Sequence, residues 1–99
     1  MLFAIYALDA PETLNKRMTL RPAHRTYLAD IRTRTAFTGP LVADDGETMI
    51  GSLMIMDFPD RSAAEAWFAD EPFNKGGLFS CVCINAYNGA PGPFQPERR

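Results

Sequence analysis

This chain of 99 residues has one histidine, His24, and that side chain alone combines an ordinary titration near neutral pH with two ring nitrogens for proton transfer. The adjacent carboxylates Asp70 and Glu71 stand directly before Pro72 and Phe73. An imidazole beside a carboxylate is acid/base equipment: the carboxylate orients the ring and stabilises its charged form while the ring moves a proton. His24, Leu28 and Ile31 fall at i, i+4 and i+7, so they share the face of a helix that should meet a sheet. With Pro22 at a first helical position, His24 lies in the first turn. The positive end of the helix dipole and partial burial then both favour a neutral imidazole, the form suited to a general base. The competing reading is a core histidine satisfied by a backbone carbonyl. Asp70 and Glu71, read at the C-terminal end of a helix, sit at its negative end. That mild cost invites a partner such as His24 or Arg21, although both carboxylates could equally be solvated.

The elements that must position these groups can be read from periodicity. A first strand runs from Leu2 to Leu8 and stops at Asp9-Ala10-Pro11; Glu12 to Thr19 could add one short helical turn. The first clear helix runs from Arg21-Pro22 to about Thr33, with Arg25, Asp30 and Arg32 on its solvated side. A second strand covers Ala36 to Val42; Gly39-Pro40 suggests an edge, a bulge or a bend near a site. Ala43-Asp44-Asp45-Gly46 is a hairpin turn. The third strand runs from Glu47 or Met49 to Phe58, and its methionines read as packing. After Pro59-Asp60-Arg61, Ser62 and Glu65 fit a capping box opening a second helix, with Ala63, Ala66 and Trp67 on its inner face. Pro72 ends or kinks that helix, and Gly76-Gly77 stops any continuation. The last strand spans Leu78 to Tyr87. Residues 88–99, rich in proline and glycine, hold no regular structure and form a tail to a domain of residues 1–87.

Four strands and two helices in β-α-β-β-α-β order make an α+β, ferredoxin-like antiparallel four-stranded sheet with helices on one face. The uncovered face wants a partner, and two sheets packed together predict a homodimer. Further assembly could use the tail. Ninety-nine residues are one domain's worth. Hydrophobic residues at 46%, charged residues at 22% and a net charge of −2 are ordinary for a globular protein and speak against a nucleic-acid surface. No apolar run approaches the ~20 residues of a membrane helix, and the start lacks a signal peptide's basic region, so the expected compartment is the cytoplasm. Cys81 and Cys83 lie two apart on a strand, poorly placed for a disulfide, and are expected as buried thiols. No metal-ligand set, cofactor motif, nucleophile elbow or phosphate-cradling loop is present, which argues against hydrolase and nucleotide chemistry.

Arg21-Pro22-Ala23-His24 followed by Leu28 and Thr38-Gly39-Pro40 resembles the YCII (YciI-like) family. So does Ala66-Trp67 followed by an acidic residue, Pro72, an aromatic and Gly77 before the final strand, and so does Tyr6-Ala7 with an acid soon after. The likeness spans about residues 1–87. It implies the dimeric α+β barrel fold and an active site pairing a histidine with an aspartate. The histidine corresponds to His24. The family's usual aspartate position, directly before the proline, holds Glu71 here, with Asp70 one residue earlier as the other candidate.

Around this pair, Arg21 offers a planar fork for an anionic group or a surface ion pair. Tyr6 offers a phenol or a packed ring, and Gly39 a close backbone approach or a bend before Pro40. Phe73 lies beside the carboxylates, and Thr38 and Ser80 add hydroxyls. The reading that follows is a small-molecule enzyme, without cofactor or metal, in which His24 and Glu71 or Asp70 carry out proton transfer of isomerase or lyase type on an aromatic-derived or organic acid substrate. The alternatives are a non-catalytic metabolite-binding or dimerising module, or His24 as an axial ligand to haem.

Overall fold

Phe3, Ile5 and Ala7 alternate with Leu2, Ala4 and Tyr6 along the first strand, and this period of two sorts the molecule into a covered and an open face. In the computed structural model, which describes residues 1–94, the first set is buried and the second is not. The elements are β1 (Leu2–Asp9), α1 (Leu14–Ala29), β2 (Thr35–Val42), β3 (Met49–Asp57), α2 (Arg61–Ala69), α3 (Pro72–Lys75) and β4 (Phe79–Tyr87), with a 3-10 turn at Arg32–Arg34. The strands pair antiparallel in the order β2-β3-β1-β4, the ferredoxin-like α+β arrangement. Ile5 lies opposite Met54 and Phe3 opposite Met56, so these four side chains share the covered face. Ala64 and Phe68 of α2 join them in the core, with Leu28 and Ile31 packed against it from the α1 side.

The main departure from the sequence pattern is in α1. It is one helix of sixteen residues with Pro22 inside it, rather than a short turn followed by a helix beginning at Pro22. Proline deprives the Met18 carbonyl of its helical partner. Both Met18 and Pro22 are exposed, so water can satisfy that carbonyl and the helix continues. His24 is therefore the eleventh residue of α1, not a first-turn residue. The dipole argument made for it does not hold, because that effect is confined to the terminal turn.

At the other end of the chain, Asp60 rather than Ser62 caps α2, its Oδ1 accepting from the Ala63 N–H at 2.9 Å. Ala64 and Phe68 face inward and Ala66 outward. Helix α2 stops at Ala69, and Pro72 does not kink it but opens a new short helix, the position proline suits. Glu71 is thus an N-cap, not a carboxylate at a C-terminal end. Pro40 falls on edge strand β2, where its missing donor breaks no inner ladder.

A bulge at Ser80 shifts the β1–β4 register between Leu8 and Asp9. It turns Phe79 onto the covered face, against Phe68 and Phe73. The expected burial of Cys81 and Cys83 is not observed: both are free thiols exposed on the open face, opposite Leu8 and Tyr6. Residues 88–94 contain no helix or strand, and the rest of the predicted tail lies outside the described residues. No described helix is long and apolar enough to cross a membrane.

Candidate active site

Helix α1 and the α2–α3 corner bring His24 and Glu71 together across 47 positions of sequence. Glu71 is fully buried. Its Oε1 pairs with His24 Nδ1, and its Oε2 accepts the Asn74 N–H at 3.0 Å. A carboxylate that accepts here takes its hydrogen bond from Nδ1–H, and in a neutral imidazole that arrangement leaves the lone pair on Nε2. Nε2 has no partner among the described residues and is not sealed from solvent. The imidazole lies nearly parallel to the Phe73 ring, 16° between planes and 3.9 Å between centroids. Phe73 is itself buried, so it holds the imidazole in one orientation.

His24 lines a cavity of about 240 Å³ between α1, the start of β3 and edge strand β2. Arg21, Gly39 and Phe73 also line it, so the structure gathers these sequence candidates around His24. A Cβ built on Gly39 would meet nothing within 4 Å, so the fold itself does not require glycine there. The lining includes Arg17, Arg21 and Arg25 but no carboxylate. A chain with a net charge of −2 thus presents a cationic cavity. Arg21 makes no ion pair among the described residues, contrary to its surface-pair alternative.

Two candidates fall elsewhere. Asp70 is exposed at the C-cap of α2 and does not reach His24, because the backbone turns between Asp70 and Glu71. Its charge is felt instead at Tyr27, whose phenol is pushed up by burial first and then by Asp70 and Glu71. Tyr6 alternates with buried Ile5 and Ala7, so its side chain stands on the open face of the sheet, away from the cavity.

The sequence reading also missed Arg17 and Ser52; Arg25, read as solvated, is exposed and also borders the cavity. Arg17 is 2% exposed, and its Nε and Nη2 grip Asp9 at 2.8 and 3.1 Å. Nη2 further contacts the Gly51 carbonyl at 2.6 Å and Ser52 Oγ at 2.8 Å. A side chain on Gly51 would meet the Ala7 carbonyl oxygen at 2.4 Å, so glycine lets β1 and β3 close behind this clamp. Arg17 lies seven residues before His24, two helical turns along the same face. That spacing was a readable signal, lost only because the helix was started at Arg21.

The family model for the YCII-related domain matches residues 1–88. This chain belongs to the YCII-related domain family. Its relatives include Protein YciI of Escherichia coli O6:H1, 33% identical over 94 residues, covering 88% of this chain and 96% of that protein. An uncharacterized protein of Haemophilus influenzae is 31% identical with the same coverage. Among solved structures, this YCII chain is similar to 5-chloro-2-hydroxyhydroquinone dehydrochlorinase (TftG) from Burkholderia phenoliruptrix, solved in complex with 2,5-dihydroxybenzoquinone. The TM-score is 0.85 at 29% identity, covering 91% of this chain and 96% of that one. No group of three or more potential metal ligands occurs among the described residues of this member.

Proposed function

We propose that this YCII-family chain is a small-molecule acid/base enzyme of lyase or isomerase type, with His24 as the proton-transferring group and Glu71 as its orienting carboxylate. One observation carries the reading. A fully buried carboxylate holds Nδ1 while Nε2 is left free beside a cavity. In an elimination, Nε2 takes a proton from the substrate, and the electron pair released expels a leaving group from the neighbouring position. The imidazolium formed is stabilised by Glu71 and returns its proton to solvent or to the departing group. No oxidant or reductant is required.

The likeness to a dehydrochlorinase solved with a dihydroxyquinone supports an aromatic-derived substrate, and the three arginines that α1 presents to the cavity support an acidic one. The cavity suits a single ring: about 150 Å³ accommodates benzene, and about 240 Å³ leaves room for substituents.

The same reading includes a homodimer formed through the open sheet face. Phe37 at 61% exposure, Tyr87 at 46% and Tyr6 at 43% share that face with Leu53, Ile55, Cys81 and Cys83. A second sheet would cover this apolar surface. Two exposed free thiols on it suit a reducing compartment, the cytoplasm.

The test uses 5-chloro-2-hydroxyhydroquinone and related ring acids as substrates. Once one is turned over, His24→Gln should abolish turnover while circular dichroism stays that of the wild type. Turnover that survives in His24→Gln overturns the mechanism. Nitrogen-15 NMR of the imidazole gives a substrate-free check, with the proton expected on Nδ1; an imidazole titrating with no coupling to a carboxylate favours a binding module.

A further inference from the structure

Arg17 carries a full charge in the interior, and a buried guanidinium is tolerated only when its N–H groups are paired. Nε is bound to Asp9, and Nη2 to Asp9, the Gly51 carbonyl and Ser52. Nη1 has no acceptor among the described residues. No buried side-chain nitrogen lacks a partner there, so the little exposure Arg17 keeps includes Nη1. Arg17 also forms part of the cavity wall. Its guanidinium carbon sits 4.5 Å from the centroid of the Phe73 ring on which His24 is stacked. Arg17, whose Nη1 is the unbound corner of a rigidly held fork, and His24, whose Nε2 is unbound, therefore line one cavity.

We propose that Nη1 of Arg17 binds the substrate oxygen that becomes an oxyanion, so that this cavity takes the keto form of a single-ring phenol or enol, its reacting carbon-bound proton facing His24 Nε2. The inference rests on the acid/base reading of His24 and deepens it. When Nε2 removes a carbon-bound proton, the C–H bond breaks, the N–H bond forms, and the electron pair moves through the ring onto oxygen. That charge then develops beside a cation already held in place by Asp9, so little reorganisation accompanies it. Arg21 and Arg25 border the same cavity without a carboxylate clamp among the described residues. They draw anions in but do not fix an oxygen.

The probe is 2,5-dihydroxybenzoquinone, a vinylogous acid that is anionic at neutral pH. It is titrated into the full-length chain by calorimetry, while the Arg17 Nε–H resonance is followed by NMR. The wild-type resonance should move saturably with the calorimetric binding curve. Arg17→Lys keeps the charge but loses the planar fork, and should bind the probe at least tenfold more weakly with unchanged circular dichroism. The uncharged dimethyl ether of the probe should not distinguish the two proteins. Absence of saturable probe binding to the wild type, an Arg17 resonance that stays still as the probe binds, or equal affinity in Arg17→Lys overturns the proposal. If Arg17→Lys does not fold, the wild-type resonance decides alone. None of these outcomes touches the His24→Gln turnover result, so failure of the anion site and failure of the acid/base reading are separable.

Discussion

Glu71 binds two elements at once: Oε1 holds His24 of α1, and Oε2 caps α3 through the Asn74 N–H. Position and charge of the imidazole are thereby tied to the start of the short helix that carries Phe73. Glu71→Gln separates the two roles. A glutamine carbonyl can still cap α3, but its amide donates to Nδ1 and drives the histidine proton onto Nε2, the wrong tautomer for a base. We expect turnover to fall by about 10²–10⁴-fold. The melting temperature should change by only a few degrees, about what ~1 kcal/mol does in a domain this small. Asp70→Asn should leave turnover at the wild-type level. Steady-state kinetics with thermal melts on both variants check this, and a greater loss in Asp70→Asn reverses the assignment.

The Asp9–Arg17 pair is buried on both sides, with side-chain exposures of 7% and 3%. Removing one partner strands the other charge in the interior. Asp9→Ala should therefore cost about 3–5 kcal/mol by urea unfolding, against ~1 kcal/mol or less for the exposed pair Arg61–Glu65. A loss under about 1 kcal/mol would mean that Arg17 is solvated.

In the β2–β3 turn, hydrogen bonds from the Thr48 hydroxyl and from the Glu47 and Thr48 N–H groups lower the Asp45 carboxyl from 3.8 to about 2. A depressed carboxylate contributes stability that is complete above its unfolded value and is lost as pH falls through its folded one. The turn should loosen between pH ~4 and ~2 and not between 4 and 7. Amide exchange at Glu47 and Thr48 reads this directly. Asp45→Asn should remove the pH dependence of those two amides.

If the open sheet face joins two copies, Phe37→Arg combined with Tyr6→Arg should halve the mass measured by light scattering. Cys81 and Cys83 should then react faster with thiol reagents than in the wild type. A wild-type monomer at micromolar concentration contradicts the dimer.

The linear pattern carried much of this molecule. The apolar run Leu2–Leu8 and the Asp-Gly turn are legible by local rules, while Gly39-Pro40 reads as an edge, a bulge or a bend and the sheet order makes it an edge. The Arg-Pro-Ala-His and Glu-Pro-Phe elements pointed to His24 and its neighbouring carboxylates. Local rules misled where two of them competed. Pro22 read as a helix start because proline is favoured there; with Met18 and Pro22 both exposed, water can satisfy the Met18 carbonyl and the helix runs through instead.

By itself, the sequence determined the order of elements and the residue types available for chemistry, because both depend on periodicity and identity within a few positions. Tertiary structure decided which carboxylate meets the histidine. The backbone reverses between Asp70 and Glu71, and two adjacent acids leave it in different directions. It also decided that Arg17 is a buried member of the site. That depends on Asp9, Gly51, Ser52 and Phe73 closing around it from three other elements, whereas its seven-residue spacing from His24 gives only a shared helix face. His24 could be picked out as a candidate proton-transfer group from the chain alone, but Glu71 and Phe73 become its neighbours, and Arg17 packs against the same Phe73 ring, only through the packing of α1 and α3 against the sheet.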